Sequence, residues 1–228
     1  MKFFVIEGVD GAGKSTQLKL LRDFFSEKGY ECDYLHCPRT EAPYFGELIA
    51  RFLRGEFGTI NEVDPYLVAM LYAGDRKDAS EMIRNWLNEG KVVLLDRYTY
   101  SNIAYQCAKL KKTDEQEKLM QWILKLEFDH FSIPRPDLNI FLDVPFAFTE
   151  KKLSGTRTGE DRSYLNGSRD IHEESLDFQK EVRDLYLRVS QADYRLAVVN
   201  CSGSGENMLP PDEIFKLVRG ILENRKFI

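Results

Sequence analysis

Five short apolar runs alternate along the chain with longer segments of helical spacing. The runs are KFFVIE, ECDYLHC, KVVLLDR, PDLNIFLDV and RLAVVNC. Apolar residues three or four positions apart lie between them, which is the spacing of an amphipathic helix. KVVLLDR is strongly apolar, as expected for a parallel strand that is covered on both faces. Strands separated by helices predict a doubly wound α/β domain. The order of the strands in the sheet is not readable from this pattern.

Length, charge and cysteine content narrow the functional classes. The chain has 228 residues, enough for one substantial core, and we expect a single domain over 1–228. Its net charge of -5 argues against a general nucleic-acid binder, which usually carries a basic stripe. No apolar stretch reaches the length of a membrane span. The four cysteines form no CxxC pair. We therefore expect a cytoplasmic protein with neither a nucleic-acid nor a membrane partner.

A glycine-rich loop, EGVDGAGKST (residues 7–16), directly follows the first apolar run. It matches the pattern G-x-x-x-x-G-K-[ST] and opens a predicted helix, as a phosphate-binding P-loop requires. Backbone N–H groups of such a loop surround phosphate oxygens, and the helix N-terminus adds positive potential. Lys14 is expected to reach the outer phosphates, and Ser15 to hold Mg²⁺. The predicted phosphate-binding residues are Gly8, Gly11, Ala12, Gly13, Lys14, Ser15 and Thr16.

The P-loop alone leaves three classes open, namely a GTP-driven switch, an ATP-driven motor and a kinase for a small acceptor. The guanine-reading NKxD pattern of GTPases does not occur in the sequence. A motor or transporter ATPase usually has a longer chain and partner-docking elements. A kinase needs a second anion site, so arginines at the ends of strands become the decisive residues.

Several cations and one carboxylate follow predicted strands or share a helix face. Asp96 and Arg97 end the run VVLLDR, at the carboxyl end of a strand, where open α/β sheets bind ligands. An arginine there can span two phosphates and a carboxylate can organise Mg²⁺, although a strand-terminating salt bridge is the alternative. Arg39 follows the second strand. Tyr72 and Arg76 are four residues apart on one helix face and together could grip a base, although a helical tyrosine is more often part of the core.

A set of six motifs resembles the thymidylate kinase family in order and spacing, from residue 3 to about residue 186. The motifs are FFVIEGVDGAGKST, CPR, LYAGDR, DRYTYSNIAYQ, IPRPDLNIFLDV and DIHEESLDFQKEV, of which DRY with SNxAYQ is the most specific. The resemblance implies a P-loop NTPase-type five-stranded parallel sheet flanked by helices, with a mobile lid at about 154–170. It also implies transfer of the γ-phosphoryl group of ATP to dTMP, giving dTDP and ADP, with Mg²⁺ as cofactor. The family commonly forms homodimers.

The acceptor site implied by the resemblance consists of Asp10, Arg39, Tyr72, Arg76, Arg97, Asn102 and Tyr105. Tyr72 stands where the family has the aromatic side chain that stacks on thymine, and Arg76 stands at the edge of the base. Asn102 and Tyr105 resemble the residues at the polar edge of the base and beside the deoxyribose. A tyrosine packed against C2′ would leave no room for a ribose hydroxyl.

The catalytic residues implied by the resemblance are Lys14, Arg97, Asp10, Arg157 and Arg162, and the implied metal ligands are Ser15, Asp96 (directly or through water) and Glu173. Gly11 stands where some members have a basic residue in the P-loop. Members without that basic residue use arginines of the lid instead. Arg157 or Arg162 is therefore expected to approach the transferring phosphoryl group, with Arg169 as a third candidate. The alternative is a solvated loop in which these arginines pair with nearby carboxylates.

Three positions depart from the family pattern. Cys37 stands where many members have phenylalanine, Tyr72 is commonly phenylalanine, and His172 replaces a tyrosine of some members. His172 is interpreted as structural. These changes affect the choice of acceptor and leave the reaction class unaltered. Two other functions stay open at this point: a different nucleoside monophosphate or deoxynucleoside kinase, and an ATP-binding protein without catalytic activity.

Overall fold

A computed structural model describes residues 2–154, 164–165, 170–172, 175–204 and 207–228, the side chains of 151–154 excepted. The predicted catalytic arginines Arg157 and Arg162, the third candidate Arg169 and the predicted metal ligand Glu173 therefore lie outside the described residues. Within the described ranges, no helix combines the length and the apolar character needed to cross a membrane.

The centre of the molecule is a five-stranded parallel sheet. Its strands are β1 (Lys2–Glu7), β2 (Cys32–His36), β3 (Val92–Asp96), β4 (Leu138–Asp143) and β5 (Leu196–Asn200). Their order in the sheet is β2-β3-β1-β4-β5, and every neighbouring pair is parallel. The predicted five-stranded parallel sheet is confirmed, and the structure adds the strand order.

Eight helices surround the sheet in the described part of the chain. They are α1 (Lys14–Glu27), α2 (Phe45–Leu53), α3 (Pro65–Asn88), α4 (Thr99–Cys107), α5 (Thr113–Leu124), α6 (Phe146–Ser154), α7 (Leu176–Ala192) and α8 (Pro211–Asn224). The Asp64 side chain caps α3 by accepting a hydrogen bond from the N–H of Tyr66 (2.8 Å). All nine residues of α4 are buried, so this helix has no polar face to give an amphipathic pattern. A π-helical turn, Lys125–His130, follows α5 directly.

Apolar side chains cover both faces of the sheet. Phe4 and Ile6 of β1 belong to the larger cluster, whereas Phe3 and Val5 belong to a second one. Successive side chains of a strand point to opposite faces, so this division follows from the period of two. The second cluster includes Ile83 of α3, and the larger one includes residues of α1, α7 and α8. Burial on both faces is the reason that β3 reads as a continuous apolar run.

Candidate active site

The glycine-rich loop joins β1 to α1 in the geometry of a phosphate-binding loop. Gly11 and Gly13 have φ values of 79° and 82°, a left-handed conformation that favours glycine. Gly13 is the N-cap of α1, so the free N–H groups of the first helical turn lie at the loop. The Lys14 ammonium lies against the loop and donates to the carbonyl oxygen of Val9 (3.3 Å). The loop is therefore suited to hold an anion at a helix N-terminus.

A cavity of about 470 Å³ lies next to this loop, at the carboxyl ends of the strands. A volume of this order is typical of ligand sites. Most of the residues predicted from the sequence line it: Asp10, Gly11, Ala12, Gly13, Lys14, Ser15, Thr16, Tyr72, Arg76, Asp96, Arg97, Asn102 and Tyr105. The structure thus brings the P-loop and most of the predicted acceptor site into one cavity.

A cluster around Asp10 and Arg97 forms one side of the cavity. Arg97 Nη2 lies 2.7 Å from Asp10 Oδ1, and the Tyr105 hydroxyl donates to Asp10 Oδ2 (2.8 Å). β1 and β3 are neighbours, and the N–H of Arg97 donates to the carbonyl oxygen of Ile6, so this pairing places both side chains together. Burial alone would raise the pKa of Asp10, but the charges of Arg97 and Lys14 lower it well below its usual range. Asp10 therefore stays ionised near neutral pH.

Arg97 has a backbone conformation that is uncommon for a residue with a side chain. Its φ is 68°, in the left-handed region. Strained residues of this kind persist only where the surroundings hold them, and they cluster at functional sites. Here the fully buried Glu7 carboxylate accepts hydrogen bonds from the N–H of Tyr98 (3.0 Å) and from the Ser101 hydroxyl (2.5 Å). These bonds fix the segment that directly follows Arg97 in the sequence.

Gln179 of α7 is a site residue that the sequence reasoning missed. Its Nε2 donates to Asp10 Oδ2 (3.0 Å) and to the carbonyl oxygen of His172 (2.8 Å), and its Oε1 accepts from the N–H of Asp10 (3.4 Å). It therefore orients the Asp10 carboxylate through Oδ2, whereas Arg97 binds Oδ1. The sequence did contain a signal for this residue. Gln179 lies three residues before the buried Val182, so it is a polar side chain on the apolar face of α7.

The other end of the cavity contains Tyr72, Arg76 and Asn102. Tyr72 and Arg76 belong to α3, and Asn102 to α4. The Arg76 guanidinium is buried and makes two hydrogen bonds with Glu127, of 2.7 and 2.6 Å. An aromatic ring next to a fixed planar cation can bind one face and one edge of a flat ring.

Comparison with known proteins identifies the family. The family model described as Thymidylate kinase matches residues 6–209, which is most of the chain. The chain belongs to the thymidylate kinase family. A probable thymidylate kinase of Thermococcus onnurineus is 36% identical over 211 residues, covering 90% of this chain and 92% of the relative. The thymidylate kinase of Mycobacterium tuberculosis is 32% identical over 186 residues, covering 81% of this chain and 84% of the relative.

A solved structure gives the same family. Thymidylate kinase from Candida albicans matches with a TM-score of 0.72 at 26% identity, covering 99% of this chain and 92% of that chain. The resemblance of the six motifs to thymidylate kinases is therefore confirmed, together with the P-loop NTPase-type fold.

Among the predicted site residues that the structure describes, two do not line the cavity. The Arg39 guanidinium lies on α3, where Nε is 2.9 Å from Asp75 Oδ1 and Nη2 is 3.1 Å from Asp78 Oδ2. Its predicted place in the acceptor site stays a prediction. Gly8 lies beneath the loop, and a Cβ at this position would be 3.0 Å from the Cβ of Ala12. Its contribution is the close packing of the loop.

The oxygen atoms near the P-loop fit the Mg²⁺ that the family implies. Asp96 Oδ1 is buried, has no hydrogen-bond partner in the described part of the chain and lies 4.0 Å from Lys14 Nζ, and Ser15 lines the same cavity. Burial raises the pKa of Asp96, but Lys14 and His36 outweigh this and lower it, so the carboxylate is ionised. No group of three or more His, Cys, Asp or Glu side chains among the described residues is placed to hold a metal. One carboxylate and one hydroxyl suit Mg²⁺, which binds through few protein ligands, substrate phosphates and water.

His172 is a cavity-lining residue that the sequence interpretation left out of the site. It is 6% exposed, and its ring packs against those of Tyr105 (5.0 Å between centroids), Phe52 (5.6 Å) and Phe178 (5.8 Å). Burial, followed by the charge of Lys109, lowers the pKa of His172 to about 3. The imidazole is thus neutral in the folded protein at physiological pH.

This neutral histidine predicts a loss of stability in mild acid. His172 is protonated near pH 6.5 in the unfolded chain but only near pH 3 in the folded protein. Between these values the unfolded state binds more protons, so the free energy of unfolding decreases as the pH is lowered. When the pH is lowered from 7.5 to 5, the unfolding free energy of the wild type should decrease by about 2 kcal/mol more than that of His172→Phe. Urea unfolding at both pH values measures this. Equal losses in the two proteins would show that His172 is accessible to protons in the folded state.

Proposed function

We infer that the chain is a dTMP kinase, which transfers the γ-phosphoryl group of ATP to dTMP and gives dTDP and ADP in dTTP synthesis. Its membership of the thymidylate kinase family supports this inference. The observation that carries it is the position of Lys14 of the P-loop and Arg97 at the end of β3 in one cavity. A donor phosphate on the loop and an acceptor phosphate at Arg97 would meet between them.

Positioning and charge neutralisation carry the reaction in this proposal. Two phosphate groups repel each other unless cations lie beside them, and the chain supplies Lys14 and Arg97. Asp10 stays ionised and has no proton to give, so its role is to orient the Arg97 guanidinium through the 2.7 Å contact. A phosphate monoester oxygen is already a competent nucleophile at neutral pH, so a general base is not required.

Ser15 and Asp96 are the residues proposed to hold Mg²⁺, with Asp96 acting directly or through water. The bound ion would neutralise charge on the donor phosphates. The feature that supports this assignment is the Oδ1 atom of Asp96, which has no partner among the residues that the structure describes. Glu173 as a further ligand, and Arg157 or Arg162 as the lid cation, stay predictions from the resemblance.

The acceptor is proposed to lie between Tyr72, Arg76 and Asn102 at its base and Tyr105 at its sugar. The Tyr105 ring is 5% exposed and is fixed by its hydroxyl, which donates to Asp10. A ring fixed in this way could exclude a 2′-hydroxyl, so a preference for deoxyribose follows. Arg39 would add to the phosphate site only if it left Asp75 and Asp78.

A homodimer and a cytoplasmic location complete the proposal. The exposed side chains of Leu67 (57%) and Met70 (43%) lie three residues apart on α3 and would suit an apolar contact between two copies. The cytoplasmic location follows from the cysteine pattern, and Cys32, Cys37, Cys107 and Cys201 are all free thiols in the structure.

A coupled assay of ADP release with different acceptors tests the proposed function. We expect dTMP to give the highest kcat/KM among dTMP, dUMP, CMP, UMP and AMP, and ribothymidine monophosphate to be a poor acceptor. A higher value for another acceptor would identify a different nucleoside monophosphate kinase. ATP binding without acceptor-dependent ADP release would identify a non-catalytic nucleotide-binding protein.

A further inference from the structure

Glu127 is a buried carboxylate that neither the P-loop nor the phosphate chemistry uses. It belongs to the π-helical turn after α5 and is 0% exposed. It accepts four hydrogen bonds: from Arg76 Nε (2.7 Å), Arg76 Nη2 (2.6 Å), the Thr99 hydroxyl (2.8 Å) and Asn102 Nδ2 (2.9 Å). A buried charge with this many donors has a defined orientation and imposes one on its partners.

Two of the three residues that donate to Glu127 line the cavity. Arg76 comes from α3 and Asn102 from α4, so a single carboxylate joins the two helices at the base end of the site. The bidentate contact uses Nε and Nη2 of Arg76, and a guanidinium has five N–H groups. The remaining N–H groups make Arg76 a donor in this part of the cavity.

Glu127 also determines which way the Asn102 amide faces. Asn102 Nδ2 donates to Glu127 Oε1 and to the carbonyl oxygen of Ala69 (3.0 Å), and both of these atoms can only accept. An amide with its oxygen in that place would put three acceptors together, so the hydrogen-bond network assigns the orientation. Asn102 Oδ1 is left without a partner among the described residues.

We propose that Glu127 is a positioning residue for base selection, which holds Arg76 as a donor and the Asn102 oxygen as an acceptor. The proposal rests on the proposed function and names what sets the choice of base. A donor beside an acceptor complements the neighbouring C4 carbonyl and N3–H of thymine or uracil. Cytosine presents an amino group and an unprotonated ring nitrogen at these positions, which would leave both protein groups mispaired.

Glu127→Gln is the decisive variant because it keeps the shape and replaces one acceptor oxygen by an NH₂ donor. The new NH₂ group can face the Thr99 hydroxyl, which is able to accept a hydrogen bond, but Arg76 cannot accept, so one of the two Arg76 contacts is lost and the guanidinium is held at a single N–H group. We expect kcat/KM for dTMP and for dUMP to fall at least about tenfold, mainly through the acceptor KM. Because a guanidinium held at one N–H group can turn away from the amino group of cytosine, dCMP should lose less, and the dTMP-to-dCMP ratio should fall at least about tenfold.

Three further variants separate positioning from folding. Glu117→Gln changes an exposed residue of α5 and should leave every constant unchanged. Thr99→Val removes a donor that does not line the cavity, so it should lower Tm but preserve the dTMP-to-dCMP ratio. Glu127→Asp keeps both acceptor oxygens but retracts them, so it should raise the dTMP KM and also preserve the ratio. Glu127→Asp tests the proposal even if Glu127→Gln does not fold.

Failure of this proposal is distinguishable from failure of the proposed function. Equal losses with dTMP, dUMP and dCMP in folded Glu127→Gln, or an unchanged dTMP KM in Glu127→Asp, would overturn the role of Glu127 and leave dTMP kinase activity intact. If the wild type phosphorylates no dTMP, the proposed dTMP kinase function is refuted. Calorimetric titration of the wild type with dTMP and with dCMP then tests base selection directly. Equal wild-type affinity for the two nucleotides would overturn the proposal.

Discussion

Replacing Lys14 with alanine is expected to lower turnover at least about a hundredfold without unfolding the protein. The ammonium lies at the P-loop, where charge would develop on the transferring group in the proposed reaction. Burial and the charge of Arg97 lower the pKa of Lys14. Keeping the ammonium charged at this position therefore lowers the stability of the folded protein. Its removal should therefore leave Tm unchanged or slightly higher, while kcat falls.

Steady-state kinetics and a thermal unfolding curve of the same sample measure both effects. The matched control is Lys19→Ala, which changes an exposed lysine five residues further along α1. This control should behave as the wild type. Near-normal turnover in folded Lys14→Ala would refute the assignment of the loop as the donor site.

Replacing Arg97 with methionine is expected to lower kcat/KM for dTMP at least about a hundredfold. Methionine keeps an unbranched side chain and the same backbone requirement at φ 68°, so the change isolates the guanidinium. It removes the cation proposed for the acceptor phosphate and leaves the half-buried Asp10 without its 2.7 Å partner. The KM for ATP should change little, because the loop, and not Arg97, is the proposed donor site.

The control for this variant is Arg22→Met, at an exposed position of α1. It should retain wild-type kinetics with both substrates. A fall of less than about tenfold in folded Arg97→Met would mean that another cation, such as Arg39, carries the acceptor phosphate. An equal rise in the KM values of ATP and dTMP would instead indicate a general distortion of the cavity.

Local sequence determined the fold class and the donor side of the site. A strand, a glycine-rich loop and a helix are adjacent in the chain, so the P-loop geometry depends on neighbours that the sequence shows directly. Arg97 was also predictable, because it ends a buried parallel strand and such ends meet at one edge of the sheet. Short-range steric and hydrogen-bonding rules are sufficient for both, since neither depends on the order of the strands.

Only the tertiary structure decided the strand order and the partners of the charged groups. Glu127 reads in the sequence as one more carboxylate on a helical segment, yet it is fully buried and binds residues 25 and 51 positions away. Arg39 follows a strand as predicted, yet Asp75 and Asp78 hold it away from the cavity. Gln179 contacts Asp10 across 169 positions. The reason is physical: a buried charge or amide is stable only where it is paired, and the packing of distant helices determines which partner it meets.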